Sequence, residues 1–298
     1  MTSPAESAAP GVLVVVGDLL EDIVVWATEP IRAATDSAAQ VFRARGGSAA
    51  NVAAHAASRT PTRFIGRVGD DAAGRTLEAA LAASGAEVRV QRDGRTGAVV
   101  LIVAPDGERT MFPDRAAAAE LHEVDTGWLD GAAWLHVPSY GLEHEPMRSE
   151  VRRLIGLARG RGARVSLDAS STGLLDGLGV ERVLGWYAEL RPDVLLANET
   201  EAEVLGVAGG GPVAASVARR LVVKHGPHPT EVFDDGVLVE RVPVAPVDGV
   251  RDLTGAGDAF AAGYLAAAIG GADATAACLA GHAAAASVIT SPGAGSPA

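Results

Sequence analysis

The residues best placed to do chemistry lie in Asp252-Leu253-Thr254-Gly255-Ala256-Gly257-Asp258-Ala259-Phe260, which runs into an Ala-rich stretch. Small residues let a backbone approach a ligand closely, and the free N–H groups of a helix's first turn form an anion site. Asp258 stands beside that site. Such amides can stabilise charge on a moving phosphate while the carboxylate accepts the proton of an attacking hydroxyl. A plain helix start, with Asp258 favouring the helix dipole, is the structural alternative.

Three further segments could complete a site. Gly46-Gly47-Ser48-Ala49-Ala50-Asn51 sets two glycines before a helix and an Asn one turn in. An amide that both donates and accepts suits sugar hydroxyls, although a Gly-Gly turn is also a common structural device. Asp22, just after the first apolar run, could accept hydrogen bonds from vicinal hydroxyls or be a solvated loop carboxylate. Asn198-Glu199-Thr200-Glu201 follows a buried-looking strand, at the carboxyl end where doubly wound sheets bind ligands. Asn198 and Glu201 could orient magnesium-bound waters; a capping arrangement at the next helix is the other reading. Arg109, Met111 and Arg115 close a β-rich segment, where the arginines read as solvated surface charges more readily than as ligand contacts.

The elements that must position these residues follow an alternating pattern. Short Val/Leu/Ile runs at Val12 to Gly17, Arg63 to Val68, Ala133 to Val137, Arg164 to Asp168, Val194 to Ala197 and Leu221 to Lys224 predict core strands. Helices are predicted at Ser48 to Ser58, Gly74 to Ala83, Arg148 to Arg161, Glu201 to Leu205 and Gly255 to Ile269. This is an α/β chain with a doubly wound, mostly parallel sheet and helices on both faces. Residues 23–45 and 87–112 lack helices and share a hairpin character, so they predict a small β-sheet lid over one end of the main sheet. The reading is one domain over residues 11–296, preceded by a frayed tail at 1–10.

Composition narrows the partners. The 298 residues are 48% hydrophobic and carry a net charge of −12, which describes a soluble globular chain that repels nucleic acid and anionic membranes. The single cysteine, Cys278, excludes an internal disulfide and a multi-cysteine zinc site and fits a reducing, cytoplasmic setting. The single lysine, Lys224, precedes His225, so no Walker-type phosphate loop exists. Residues 1–10 carry no positive charge ahead of the apolar run, unlike a secretory signal. Ala259 to Ile289 reads as two buried Ala-rich helices rather than a membrane span. The turn Gly17-Asp18-Leu19-Leu20-Glu21-Asp22 lacks the glycines of a dinucleotide-binding fold.

Together the segments resemble the PfkB family of carbohydrate kinases, with its ribokinase-like fold, over about Gly11 to Ala294. Both signature regions are present, at Gly46 to Asn51 and Asp252 to Phe260, with Asn198 to Glu201 between them. The resemblance implies an ATP-dependent sugar kinase. In it Asp258 would be the catalytic base, Gly255, Ala256 and Gly257 the anion hole, and Asp22, Gly47 and Asn51 the substrate-binding residues. Asn198, Gly226, Gly257 and His282 would bind the nucleotide, although His282 also reads as a core histidine. Asn198 and Glu201 would serve Mg2+ through water, and Asp252, Thr254, Val288, Ser291 and Gly293 would bind K+. The resemblance also implies a homodimer through the lid.

This sequence departs from that pattern at three places. Gly226-Pro227-His228-Pro229 has proline where the nucleotide loop usually has its second glycine, which stiffens the loop. Leu20 replaces the polar residue of ribose-specific relatives, and no substrate-binding Glu occurs around His136 to Tyr140. A nucleoside kinase is the alternative, with Phe42, Phe112 and Tyr140 available to stack on a base. A catalytically silent sugar binder on the same fold is a third reading.

Overall fold

The computed structural model describes residues 11–290; the tail at 1–10, Ser291 and Gly293 lie outside the described residues. The chain opens with β1 (Val12–Val16), β2 (Leu20–Ala27), β3 (Ala39–Gly46), α1 (Ser48–Ala57), β4 (Thr62–Val68), α2 (Ala72–Ala83), β5 (Glu87–Arg92), β6 (Ala98–Val103) and β7 (Arg109–Asp114). It continues with β8 (Ala132–Pro138), α3 (Met147–Gly160), β9 (Arg164–Asp168), α4 (Thr172–Leu178), α5 (Val180–Leu190), β10 (Val194–Asn198), α6 (Glu199–Val204) and α7 (Gly211–Val217). It closes with β11 (Arg220–His225), β12 (His228–Asp234), β13 (Val237–Val242), α8 (Ala256–Ile269) and α9 (Ala274–Ile289).

Nine strands form the main sheet in the order β13-β12-β11-β10-β9-β8-β1-β4-β5, parallel from β11 to β5. Its strands read as continuous apolar runs because both faces are covered. Within β1, Val14 and Val16 join the core on the α3, α5 and α7 side, while Leu13 and Val15 join the core against α1, α2, α8 and α9. The last two helices are rich in Ala and Gly because they pack almost backbone to backbone. A Cβ on Gly263 would lie 2.4 Å from the Ala280 carbonyl oxygen.

A second sheet has the order β3-β2-β6-β7. This corrects the expected lid boundaries. Glu87–Arg92 pairs with β4 as the edge of the main sheet, so the later lid segment begins at β6, and the earlier one already includes Leu20. The apolar alternation of β5 looks the same whichever sheet it joins, and only its parallel partner decides. The antiparallel edge β12–β13 adds to the expected strands; its outer strand is mostly exposed and carries no core pattern that would mark it in the sequence.

Cross-strand register sorts the lid residues by face. Asp22 pairs with Ala44 and Val99, so Asp22 shares a face with Phe42, Leu101 and Arg109. Phe112 pairs with Val100 on the opposite face, together with Val41. Phe112 is therefore turned away from Asp22 and cannot stack on a ligand held there.

Candidate active site

The carboxyl ends of β1, β9, β10 and β11 meet the start of α8 and the underside of the lid, as the topology of an open α/β sheet requires. Asp258, in the first turn of α8, is half-buried and held from the start of α1. Ser48 Oγ donates to its Oδ1 at 2.6 Å and Asn51 Nδ2 to its Oδ2 at 3.0 Å. Gly47 makes that approach feasible: it sits at φ +95°, and a Cβ there would meet the Asp18 carbonyl oxygen at 2.4 Å. A Cβ on Gly46 would lie 2.0 Å from Asp22 Oδ1, so the Asp22 carboxylate occupies the space that this glycine leaves open. Three expected residues, Asp22, Asn51 and Asp258, are thus brought together around the Gly-Gly turn.

Burial pushes Asp258 up to about 6, against the Ser48 and Asn51 hydrogen bonds that favour the ionised form; Asp168 adds to the rise and Lys224 opposes it. Asp22 is likewise pushed up to about 6 by burial, opposed by Arg45. A carboxylate poised near neutrality suits a general base.

Of the first-turn amides expected to form an anion hole, one is already engaged. Gly255 takes φ +78° as the residue before α8, but the Ala256 N–H donates to the Leu253 carbonyl at 3.2 Å. Among the described residues, the amides of Gly255, Gly257 and Asp258 have no backbone acceptor, and these are the donors left for an anion.

Sequence reasoning gave Lys224 no positive role, yet its ammonium lies at this hole. It pairs with Asp168 Oδ2 at 3.3 Å, and a Cβ on Gly257 would lie 3.6 Å from its Nζ. The β11–β12 register shifts between Val223 and His225, the kind of irregularity that re-aims a side chain. The available signal was a sole lysine at the carboxyl end of a core strand.

Asn198 and Glu201 form the capping box that was their structural alternative. Asn198 Oδ1 accepts from the Glu201 N–H, and Glu201 Oε2 accepts from the Asn198 N–H, each at 2.8 Å. Glu201 is buried, and burial together with nearby Asp168 pushes its carboxyl up. Two acids beside one ammonium fit magnesium, which takes one or two carboxylates and keeps its waters. Among the described residues no cluster of three or more His, Cys, Asp or Glu side chains could hold a metal by itself.

At the expected nucleotide loop, Gly226 at φ +58° and Pro227 form a two-residue turn between His225 and His228, so Pro229 lies inside β12. His282 Nε2 meets Thr230 Oγ1 at 2.8 Å and its ring packs 5.5 Å from Phe260, while Nδ1 is buried without a partner.

Asp252, partly buried, and Thr254, exposed, are tied to the lid by Arg109. Asp252 Oδ1 accepts from the Thr254 N–H at 2.9 Å and from Arg109 Nη1 and Nη2 at 3.2 Å each, and Arg109 Nη1 also donates to Thr254 Oγ1 at 2.7 Å. Val288 lies near Gly255, with its Cγ1 3.9 Å from where a Cβ would be. Arg109, expected in solvent, is thus a lid-to-loop contact. Arg115 is corrected more strongly: it is buried, forks onto Asp18 with two 2.7 Å bonds and reaches Glu143 at 3.2 Å. An arginine's surroundings cannot be read from its neighbours in sequence when its partners lie elsewhere in the chain.

The pfkB family carbohydrate kinase model matches residues 12–298. A fructokinase of Klebsiella pneumoniae is 32% identical over 247 residues, covering 78% of this chain and 79% of its own. An adenosine kinase from Sinorhizobium meliloti has the same fold, with a TM-score of 0.82 at 23% identity over 94% of both chains. A putative ribokinase II in complex with ATP and Mg2+ from E. coli superposes at 0.78 with 22% identity, over 94% of this chain and 93% of its own. Among the described residues no helix is long and apolar enough to cross a membrane.

Proposed function

We propose that this chain, which belongs to the pfkB family of carbohydrate kinases and is an ATP-dependent phosphotransferase with an alcohol acceptor, phosphorylates a primary hydroxyl of a free sugar, with Asp258 as its base. The observation that carries this reading is the Asp258 carboxylate, aimed by Ser48 and Asn51 and standing beside free first-turn amides and the Lys224 ammonium. Asp22 and Asn51 hold the acceptor so that its hydroxyl faces Asp258, which takes the proton as the oxygen attacks the γ-phosphate and the bond to the bridging oxygen breaks, releasing ADP. The amides of Gly255, Gly257 and Asp258, with Lys224, meet the charge on the transferred group. Magnesium, held through water by Asn198 and Glu201, supplies further neutralisation when bound. Gly226 and His282 border the nucleotide. The lid keeps water from the phosphate.

A free sugar is favoured over a nucleoside because the fructokinase likeness is in sequence, whereas the adenosine kinase likeness shows the fold alone. Turnover needs no K+, because Arg109 already places a positive charge on Asp252, at the site read for that ion. A homodimer through the outward lid face suits its exposed Val41 and Phe112. The test is ADP release from ATP and Mg2+ across hexoses, pentoses, sugar acids and nucleosides. Turnover with a free sugar, lost in Asp258→Asn, is the expected result. Turnover only with nucleosides would replace the sugar reading, and none with any acceptor would overturn it.

A further inference from the structure

We propose that Arg45 is a positioning residue for this transfer: it fixes the Asn51 amide against the base and supplies a positive charge beside Asp22 and Asp258. The inference rests on Asp258 being the base.

Arg45, the next-to-last residue of β3, is half-buried, and its Nη1 donates to Asn51 Oδ1 at 2.9 Å. A guanidinium only donates, so Asn51 must turn its oxygen to Arg45 and its Nδ2 to Asp258. Without Arg45 the amide could rotate and set oxygen against the carboxylate. Arg45 therefore selects the rotamer that aims the base, without itself touching Asp258.

The charge argument is independent of the amide. Asp22 lies against Gly46 and Asp258 against Asn51, and burial separately disfavours the ionised form of each. The other groups facing Asp258 are Asp168 on β9, Lys224 on β11 and the Tyr140 phenol after β8; Asp168 and Lys224 pair with each other. On α1, His55 is held below the usual imidazole range by burial and by the Arg45 and Arg59 charges, so it is neutral at pH 7. Arg45 is thus the cation left for the acceptor side, and it interacts with both Asp22 and Asp258. The same protein environment that raises the carboxyls makes this positive charge more effective than it would be in water.

The test reads the carboxyls directly. Protein labelled with 13C at aspartate carboxyls is titrated by NMR for the wild type, Arg45→Gln and Arg45→Lys, with Asp22→Asn and Asp258→Asn assigning the signals. In Arg45→Gln both titrations should rise by on the order of one pH unit, about tenfold in ionised fraction below the midpoint. The acid limb of kcat/KM should move with Asp258. Arg45→Lys keeps both the charge and a donor-only group, so its titrations should stay in place and most of kcat should be retained, whereas kcat in Arg45→Gln should fall several-fold. Unmoved titrations in an Arg45→Gln protein that unfolds at the wild-type temperature would overturn the charge role. An undiminished kcat in Arg45→Gln would overturn the amide role, and Arg45→Met takes the place of Arg45→Gln in both readings if the latter does not fold. A wild type that phosphorylates no acceptor would defeat the kinase reading, while the NMR titration would still decide what Arg45 does to the two carboxyls.

Discussion

Replacing Asp258 by Asn should abolish turnover and yet stabilise the protein above neutral pH. Burial lifts this carboxyl from the usual 3.8 to about 6, so holding it ionised at pH 8 costs the folded state about 3 kcal/mol. Part of the carboxylate still reaches solvent through the cleft, which brings the cost down to about 2 kcal/mol. The substituted amide can turn its oxygen to Asn51 Nδ2 and its NH2 to Ser48 Oγ, a hydroxyl that accepts as well as donates, so both contacts are kept. The net gain is therefore about 2 kcal/mol at pH 8, or roughly 4 °C in Tm for a chain of this size. The raised value means that the folded state binds the proton more tightly than the unfolded chain. The wild-type penalty is therefore complete above about pH 6 and fades as pH falls toward 3.8. The mutant's advantage should shrink from pH 8 to pH 5 and vanish near pH 4. Thermal unfolding of both proteins at pH 8, 6.5, 5 and 4 measures it, beside a turnover loss on the order of 10³-fold. A mutant that is less stable at pH 8, or a difference that is flat with pH, would refute the claim that burial strains this base.

Lys224→Ala should lower kcat by about 10²-fold with a smaller change in acceptor KM, read by steady-state kinetics, since the ammonium stands at the anion hole rather than at the hydroxyl site. Gly47→Ala should abolish activity and lower Tm, because φ +95° and a 2.4 Å approach to the Asp18 carbonyl both oppose a Cβ; unfolding and turnover assays check it. Arg115→Ala should cost about 3–5 kcal/mol in chemical denaturation by leaving Asp18 buried without its partner. Arg109→Ala should leave the wild type's potassium-independent rate several-fold lower and make it rise with added K+, as Asp252 loses its guanidinium; initial rates in sodium and potassium buffers decide this.

The core strands and most of the helices around the site were legible because their apolar runs are bounded by glycines and by acids at the carboxyl ends of strands. The two signature turns were legible for a similar reason: Gly46-Gly47 and Gly255 each sit where backbone approach or positive φ demands glycine. What stayed hidden depended on partners distant in sequence. Lys224 and Asp168 are 56 residues apart, Arg109 and Asp252 143, and Arg115 and Asp18 97. The Ala256 amide was assigned to the hole by motif position, but the turn's geometry spends it on Leu253. Asn198 and Glu201 did not force a choice between capping and ligand orientation, since the capping box uses one of the two Glu201 oxygens and leaves the Asn198 NH2 unengaged.

On the proposed reading of the site, its charges fall into two groups with different tasks. On the phosphate side, Lys224 is compensated by Asp168, with Glu201 close enough to feel both, so a polyanion arriving there displaces an existing ion pair rather than filling a vacant positive site. On the acceptor side, Asp22 and Asp258 share Arg45, and the cavity suits a neutral polyol that offers hydroxyl donors to two carboxylates. A negative charge on the acceptor would be repelled by both carboxylates. The same arrangement therefore favours a free sugar over a sugar phosphate and leaves the transferred phosphoryl group to the α8 amides. If this division is right, exchanging charge on one side should alter acceptor choice and the acid limb, and exchanging it on the other should alter nucleotide handling. Arg45→Gln and Lys224→Ala compared on one acceptor panel separate the two effects, and a shared change in acceptor preference would show that the sides are not independent.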